Sequence, residues 1–402
     1  MSQVIDIPLA AISRLAFACS ALLLAPAATA LEASLGSTDL SLRGFGTLGA
    51  ARSTDGSAEL VRDLSQPHGI SDHWSLTTDS LFGLQVNARF SPELEAVVQA
   101  VTRYKYDETY NPDLSWAFLR LTPNPVLTVR VGRFGTEFYM LSDSRMVGYS
   151  YNTVRPPPDY YGTLPFNYLD GLDLAITHPF AGGLLTGKLF TGQSREQSPL
   201  GAPPDFDLNE SLLIGGYLEY LDGPWQIRLG QTSVRFDNDL PLESFYQQLP
   251  KATADELRVK DQWSHFSSLG IVYDQGPFQS QLMLSKTDNE HGTFQDTWAG
   301  YLQLNYRIKD WTPFLGLSFA TSDPKALSHP IPPVTDPYQL DFYSNQRTVF
   351  VGARWDFYRN VCLKAQVDVI RGSADSKFLY RYETEDWDGS MTIMSLALDF
   401  VF

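Results

Sequence analysis

The chain has 402 residues, of which 43% are apolar and 13% aromatic, while only 19% carry a charge. This apolar content excludes a disordered protein, and a net charge of −16 argues against a nucleic-acid-binding protein, which needs basic residues to neutralise phosphates. A mean hydropathy of −0.18 excludes a helical multi-span membrane protein, because such a protein needs repeated apolar runs of about 20 residues.

The first thirty residues have the pattern of an export signal. Arg14 precedes an apolar run over 15–25, and the small residues Ala-Thr-Ala follow at 28–30. A basic residue, a short apolar core and an A-x-A site are typical of a secretory signal peptide, so we expect cleavage after Ala30. Two alternatives are weaker. The apolar run is too short for an uncleaved membrane anchor, and the residues before Cys19 fit a lipoprotein signal poorly.

Cleavage would leave residues 31–402 as one domain with a single cysteine, Cys362. An exported chain with one thiol has no internal disulfide framework. We therefore expect its stability to come from its size and its hydrogen bonding.

Beyond residue 39 the sequence alternates between apolar and polar residues and has almost no helical period. The alternating segments are separated in turn by short Gly, Pro, Asn and Asp clusters and by longer polar stretches, in strict order. This pattern predicts sixteen strands, which span 40–52, 79–90, 94–105, 114–122, 126–134, 169–178, 184–193, 209–221, 225–236, 264–274, 278–286, 295–308, 311–320, 346–358, 360–371 and 390–402.

An even number of strands, with short turns at one end and long loops at the other, is typical of a membrane β-barrel. In hydrocarbon every backbone polar group needs an internal partner, so a spanning sheet must close. Aromatic residues cluster where rings would meet the two lipid–water boundaries, which a soluble β-sandwich would not need. Beside the short turns they are Phe90, Tyr220, Trp225, Tyr273, Phe278, Tyr306, Trp311, Phe357, Tyr358, Phe400 and Phe402, and near the long loops they are Tyr104, Tyr106, Trp116 and Trp263.

Three blocks of sequence point to a family. Residues 44–49 read Gly-Phe-Gly-Thr-Leu-Gly, residues 79–85 read Asp-Ser-Leu-Phe-Gly-Leu-Gln, and Val-Gly-Arg at 131–133 opens the third long loop. The last strand alternates up to an ultimate Phe, with the signature residues Leu396, Leu398, Phe400 and Phe402. These features resemble the Gram-negative outer-membrane porins, especially a porin-like family of proteobacteria.

The resemblance implies an all-β fold, a transmembrane antiparallel barrel of about 16 strands. It implies short periplasmic turns, long extracellular loops and a third long loop folded into the lumen. In that family the last strand is read by the barrel-assembly machinery.

Residues 135–168 match the porin constriction loop by order and length. A sixteen-stranded barrel is wide enough for a water channel, so a loop must narrow it. Pro156-Pro157-Pro158 would stiffen this loop, because each proline ring fixes φ. The constriction residues that we predict are Glu137, Asp143, Arg145, Arg155 and Asp159. The alternative is a surface loop that is merely rich in proline.

The polar phase of the early strands carries arginines that would face this loop. The predicted pore-lining basic residues are Arg43, Arg89, Arg103, Arg120, Arg130 and Arg133. Arg133 breaks phase with Arg130 and is expected at the rim or after a bulge. The family places such a basic wall opposite loop acids, and the resulting field tunes selectivity. Alternatively, these arginines simply fill a wet interior and are paired there, and the mixed charges of the later strands leave ion preference open.

The resemblance further implies a homotrimeric channel in the cell outer membrane for passive diffusion of small hydrophilic solutes and ions. We expect contacts with membrane lipid and lipopolysaccharide, and no nucleic acid, cofactor, metal or catalytic residue.

Residues 205–210 resemble half of a calcium loop but lack its glycine and its final glutamate. A substrate-specific channel for sugars or carboxylates, or a barrel-based enzyme or adhesin, stays open as an alternative. The chain is too short for a 22-stranded transporter with a plug.

Overall fold

The computed structural model describes residues 31–164, 166–199, 205–323, 327–329, 342–377 and 379–402. The predicted signal peptide, with Cys19, lies outside the described residues. Within them, sixteen long strands form a closed antiparallel barrel in which each strand pairs with its neighbours in sequence. They are β1 (Thr38–Ser53), β2 (Leu81–Arg89), β3 (Leu94–Arg103), β4 (Asp113–Asn124), β5 (Leu127–Gly135), β6 (Tyr168–Phe180), β7 (Gly183–Gln193), β8 (Leu212–Asp222), β9 (Trp225–Arg235), β10 (Trp263–Gln275), β11 (Phe278–Asn289), β12 (Asp296–Tyr306), β13 (Trp311–Asp323), β14 (Asn345–Tyr358), β15 (Val361–Gly372) and β16 (Ser390–Val401).

The predicted barrel and its sixteen strands are confirmed. The largest differences in strand ends are three residues, as where 209–221 was expected and β8 covers Leu212–Asp222. Short turns and long connections alternate as predicted, because apolar–polar alternation stops wherever a strand leaves the barrel wall.

The barrel closes between β1 and β16. The pairing runs from Phe45 opposite Val401 to Ser53 opposite Ile393, so the first and last strands satisfy each other's backbone groups. Gly46 lies under the Phe400 ring, and a Cβ there would be 2.4 Å from the ring. The terminal aromatic side chains therefore pack on a glycine-lined seam.

The two faces of the wall are inverted relative to a water-soluble protein. On β13, Leu315 and Leu317 point outward and are 49% and 53% exposed. On the same strand, Thr312 and Ser318 point inward and are buried at 7% and 4% exposure. Apolar residues thus cover the outside of the barrel and polar residues line its inside. Exposed aromatic rings near the short turns are Phe90, Trp225, Phe278, Tyr306, Trp311, Phe357 and Tyr358.

One predicted girdle residue lies elsewhere. A bulge shifts the register between β3 and β4, so that Gln99 pairs with Trp116 while Ala100 pairs with Leu114. Trp116 packs against the interior apolar cluster instead of facing outward. It shares the phase of Phe118, which is buried inside the barrel, and the bulge reverses the phase only from Leu114 toward the long loop.

Shorter elements belong to the connections. The strand Leu31–Leu35 pairs with the first residues of β1, with Leu31 opposite Leu42. The two-residue strands are Glu59–Leu60 paired with Tyr380–Arg381, and Gln197–Ser198 paired with Phe206–Asp207. The helices are α1 (Pro158–Tyr161), α2 (Glu243–Tyr246), α3 (Lys251–Leu257) and a 3-10 turn at Gly148–Ser150. Of the helices described, none is both long and apolar enough to cross a bilayer.

Two apolar clusters inside the barrel include residues of the long connections. The larger joins residues of the third long loop, such as Phe138 and Tyr160, to wall residues such as Phe266 and Tyr301. The smaller joins the connection between β1 and β2 to the connection between β15 and β16, for example through Ile70 and Trp387. The long connections therefore occupy part of the lumen.

Candidate functional site: the lumen and its inner loop

The third long connection, residues 136–167 with position 165 outside the described residues, is called the inner loop here because its side chains contact the inner wall. Its first segment lies against β7–β11. Phe138 packs edge-on against Phe266 with ring centroids 5.0 Å apart, and its carbonyl accepts a hydrogen bond of 3.1 Å from the Ser268 hydroxyl. This segment begins the crossing of the lumen.

The middle of the inner loop reaches β1, β15 and β16. The Lys364 ammonium donates to the carbonyls of Gly148 at 2.7 Å and Thr153 at 2.9 Å. The same nitrogen lies 2.9 Å from the Asp399 carboxylate, and both side chains are fully buried. A buried ammonium is tolerated only when its partners are all in place. Lys364 therefore attaches the loop backbone to the barrel wall.

A second buried charge attaches the next segment. The Arg155 guanidinium, which is 1% exposed, pairs with Asp79 at 2.6 Å and with Asp368 at 3.3 Å. It also donates to the Ser395 hydroxyl at 2.7 Å. Asp79 lies just before β2, and the other partners lie on β15 and β16. Arg155 therefore joins three parts of the wall to the loop.

The end of the inner loop is held by α1. Asp159 is 1% exposed and accepts hydrogen bonds of 2.5 Å from Ser318 on β13 and from Gln346 on β14. Burial raises the pKa of Asp159 above its ordinary value. Tyr160 packs on Tyr301 of β12 with ring centroids 5.4 Å apart. The loop thus contacts the wall on several sides of the barrel.

Glu137 lies where the inner loop meets the predicted basic wall. Its carboxylate pairs with Lys188 and lies 2.7 Å from Arg130. Asp173 completes the group, because it lies 2.5 Å from Arg130 and 3.2 Å from Lys188. Burial alone would raise the pKa of Glu137, but the charges of Lys188 and Arg130 lower it to about 2. The charges at this contact are therefore neutralised in direct pairs.

Other predicted basic residues are also paired. Arg120 pairs with Glu95, and Arg103 lies 2.9 Å from Asp63 of the connection between β1 and β2. Burial would raise the pKa of Asp63, but Arg103 and Arg145 hold it well below its ordinary value. The early strands therefore carry a ladder of ion pairs, not an unneutralised basic wall.

Arg43 and Arg89 differ from the other arginines of this wall. Both occupy the inward phase, where Arg43 pairs in register with Gln85 and Arg89 with Glu95. Both are exposed, and neither makes an ion pair with a described residue. They are the accessible positive charges of the lumen at the short-turn end.

Arg133 lies on the outer face. It pairs in register with Ala117 and Asp170, and it alternates with the buried inward residue Phe134. Its guanidinium binds Asp170 at 2.6 Å and stacks on Tyr168 with 4.2 Å to the ring centroid. The prediction that it lines the pore with Arg130 is therefore wrong. Arg133 faces outward because it lies three residues from the inward-facing Arg130 in a strand whose pairing with β6 stays in register from Leu127 to Gly135.

Known structures resemble the chain in fold. OmpF of Salmonella typhi, solved in complex with daunomycin, aligns with a TM-score of 0.57 at 14% identity over 92% of this chain and 100% of its own. The anion-selective porin from Comamonas acidovorans aligns with a TM-score of 0.53 at 14% identity over 91% and 100%. The trimer form of OmpT, an outer membrane protein of Vibrio cholerae, aligns with a TM-score of 0.52 at 9% identity over 91% and 100%.

The chain has the porin fold. The sequence itself matches no family model and no curated protein. At identities this low the likeness concerns the barrel alone, so the roles of individual residues rest on their contacts in this structure.

Within this porin fold, the five predicted constriction residues have different positions. Arg155, Asp159, Glu137 and Arg145 are all buried, and they attach the inner loop to the wall or to its neighbours. Asp143 alone is exposed. The surrounding protein and the charge of Glu137 raise the pKa of Asp143. Asp143 is therefore the loop charge that meets solvent in the lumen.

Sequence reasoning missed several partners of these residues. Lys188 and Asp173 complete the Glu137 group, and Asp79 holds Arg155. Lys188 lies in the inward phase of β7. A single lysine between Leu185 and Leu189 could have indicated from the sequence that a charged side chain enters the lumen there. Asp79 belongs to the 79–85 block, but nothing local indicates that its partner is 76 residues away. No group of His, Cys, Asp and Glu in the described part of the chain could hold a metal ion.

Glu196 is a half-buried acid next to the inner loop. Its carboxylate accepts from the Asn167 backbone nitrogen at 2.6 Å and from the Asn167 amide at 2.8 Å. Arg145 in turn donates to the Asn167 amide oxygen at 2.6 Å. Burial raises the pKa of Glu196 to about 7. The junction between the inner loop and the following connection is therefore sensitive to pH.

We predict that Lys364→Met releases the middle of the inner loop. The substitution leaves Asp399 buried without its cation, which costs about 3–5 kcal/mol. In detergent, the variant should lose resistance to heat unfolding on gels and should expose the loop to limited proteolysis. The outward-facing Val367→Met serves as the control. Protease resistance equal to that of the wild type would contradict the anchoring role.

We predict that the folded protein becomes less stable as pH rises from 4.5 to 7. The folded state holds the proton of Glu196 more tightly than the unfolded state, whose glutamate titrates near 4.5. The stabilisation is complete below that pH and is lost as pH rises through the folded pKa of about 7. The difference is about 2–3 kcal/mol. Glu196→Gln should flatten the melting temperature against pH between 5 and 8, and an unchanged slope would contradict the assignment.

Proposed function

We propose that the protein is an outer-membrane porin, a channel through which small hydrophilic solutes and ions diffuse passively. One observation carries the proposal: the wall is apolar and exposed on its outer face and polar on its lumenal face. Exposed apolar residues covering a closed barrel need a lipid environment, whereas a soluble protein would bury them. Closure satisfies the strand edges that lipid would otherwise leave unpaired.

The lumen supports a channel rather than a solid core. Arg43 and Arg89 of the inward phase and Asp143 of the inner loop are exposed, so solvent has access to charges of the wall and of the loop. Ion pairs such as Glu137 with Lys188 hold the loop across the lumen. A loop fixed in this way narrows the path and sets which charges a passing ion meets. This arrangement favours a channel with a defined constriction.

Export and assembly are part of the proposal. We infer that residues 1–30 are a signal peptide and that the short turns face the periplasm. The outward signature residues Leu396, Leu398, Phe400 and Phe402 would be read by the barrel-assembly machinery, with membrane lipid and lipopolysaccharide around the barrel. Homotrimer formation is supported by the resemblance to porins and by the trimer form of OmpT.

Cleavage after Ala30 would place Leu31 at the start of the chain, within the strand that pairs with β1. We expect the intact mass of protein purified from outer membranes to match residues 31–402. A mass that includes residues 1–30, or a lipid on Cys19, would contradict the proposed processing.

The channel itself is tested in planar bilayers. Purified protein should insert in steps of ionic conductance, in multiples of three if it is a trimer. Glu137→Gln removes a negative charge from the contact with Lys188 and Arg130. The zero-current potential in a KCl gradient should therefore move toward the chloride equilibrium potential.

Glu385→Gln, at an exposed position outside the lumen, is the matched control and should leave that potential unchanged. Folded protein that inserts without conducting would contradict the porin proposal and would favour an enzyme or adhesin on the same barrel. Liposome swelling with sugars and carboxylates of increasing size separates general from substrate-specific diffusion.

A further inference from the structure

A cavity lies in the long-loop half of the barrel, on the far side of the inner loop from Arg43 and Arg89. Its volume is about 310 Å³, and it is bounded by β10–β12 and by the long connections. An apolar cavity of about 150 Å³ holds benzene, so this space suits a molecule with an aromatic ring and a short substituent.

One side of the cavity is a continuous row of aromatic rings. Phe206 and Phe236 have ring centroids 5.8 Å apart, and Phe236 and Phe294 are 5.9 Å apart. Phe294 meets Phe342 edge-on at 4.7 Å. These rings come from four different connections, which the fold brings together at the cavity. The row offers faces and edges on which a ligand ring can pack.

The opposite side is polar. It is the inner face of β10–β12, which presents Ser264, Ser285, Thr287 and Thr297 to the cavity. Ala299, 3% exposed, is the small apolar residue of this side. A ligand with one apolar face and one polar edge would match both sides, and the hydroxyl groups of Ser264 and Thr297 already hydrogen-bond within the wall.

The end of the cavity carries a guanidinium with spare hydrogen-bonding capacity. Arg381 donates to the carbonyl oxygens of Tyr380 at 3.0 Å, Leu64 at 3.4 Å and Pro199 at 3.5 Å. Its Nε–H is buried and makes no hydrogen bond in the described structure. No described carboxylate lies within ion-pair distance of it. Burial lowers the pKa of this arginine, while the charges of Glu383 and Asp63 act in the opposite direction.

We propose that this cavity binds aromatic carboxylates, with the ring packed on the phenylalanine row and the carboxylate on Arg381. Arg381 supplies a planar donor set that matches a carboxylate, and its bond to that carboxylate neutralises the buried charge. The inference rests on the proposed channel function and deepens it, because the cavity is lined by long connections and by Tyr139 and Thr163 of the inner loop. Solutes of this class would be concentrated before they cross the inner loop.

The test is isothermal titration of the full mature chain in lipid nanodiscs, with empty nanodiscs as the blank. The probes are cinnamate and its neutral analogue cinnamyl alcohol. Wild-type protein should bind cinnamate at least tenfold more tightly than cinnamyl alcohol. Arg381→Gln should weaken cinnamate at least tenfold and leave cinnamyl alcohol unchanged.

Two further variants keep the test decisive. Arg371→Gln removes an exposed arginine from the nearby end of β15 and should change neither affinity. Ala299→Leu adds side-chain volume inside the cavity without touching Arg381, and it should weaken both ligands at least fivefold. Equal affinities for the two ligands, tighter binding of maltose than of cinnamate, or full cinnamate binding by Arg381→Gln would each overturn the inference.

The outcome is separable from the porin proposal. Conductance in a planar bilayer measures the channel without any organic solute. A protein that conducts ions but binds no cinnamate would retain the channel function and lose the inferred site.

Discussion

The structure depends on the closure of its sheet between β1 and β16. Each interior strand has two neighbours, but the first and last strands would expose unpaired backbone groups if they did not meet. Their pairing from Phe45 opposite Val401 to Ser53 opposite Ile393 removes both edges. Once the sheet is closed, one face must point outward and the other inward, so the alternation of each strand becomes a division between an apolar exterior and a polar lumen.

Closure also creates the space that the inner loop occupies. The loop crosses this space with buried charged contacts on both sides of the barrel. On one side Glu137 of the loop pairs with the wall. On the other side Arg155 of the loop pairs with Asp79, and Lys364 of the wall donates to a loop carbonyl. Such charges are costly unless every partner is present, so they favour one position of the loop over many. The position of the constriction is therefore fixed by paired charges, and most of the residues that form these pairs are buried from solvent.

Strand prediction succeeded because alternation is a local signal. Residues two apart share a face whatever the rest of the chain does, so strand ends such as those of β9 and β10 were placed within a residue or two. Two assignments failed because they did not follow this alternation. Trp116 shares the inward phase of Phe118, and Arg133 lies three residues from Arg130 and therefore faces the opposite way. The charged positions of the site were foreseeable, whereas their pairing was not.

The order of residues alone was enough for the number of strands and for the apolar and polar faces, because each depends on near neighbours in the chain. The loop that enters the lumen was expected only from the resemblance to porins. Which carboxylate meets Arg130, that Asp79 binds Arg155, and that four distant connections enclose one cavity are consequences of three-dimensional closure. These contacts join residues far apart in sequence, and their energies depend on burial that exists only after the barrel has formed.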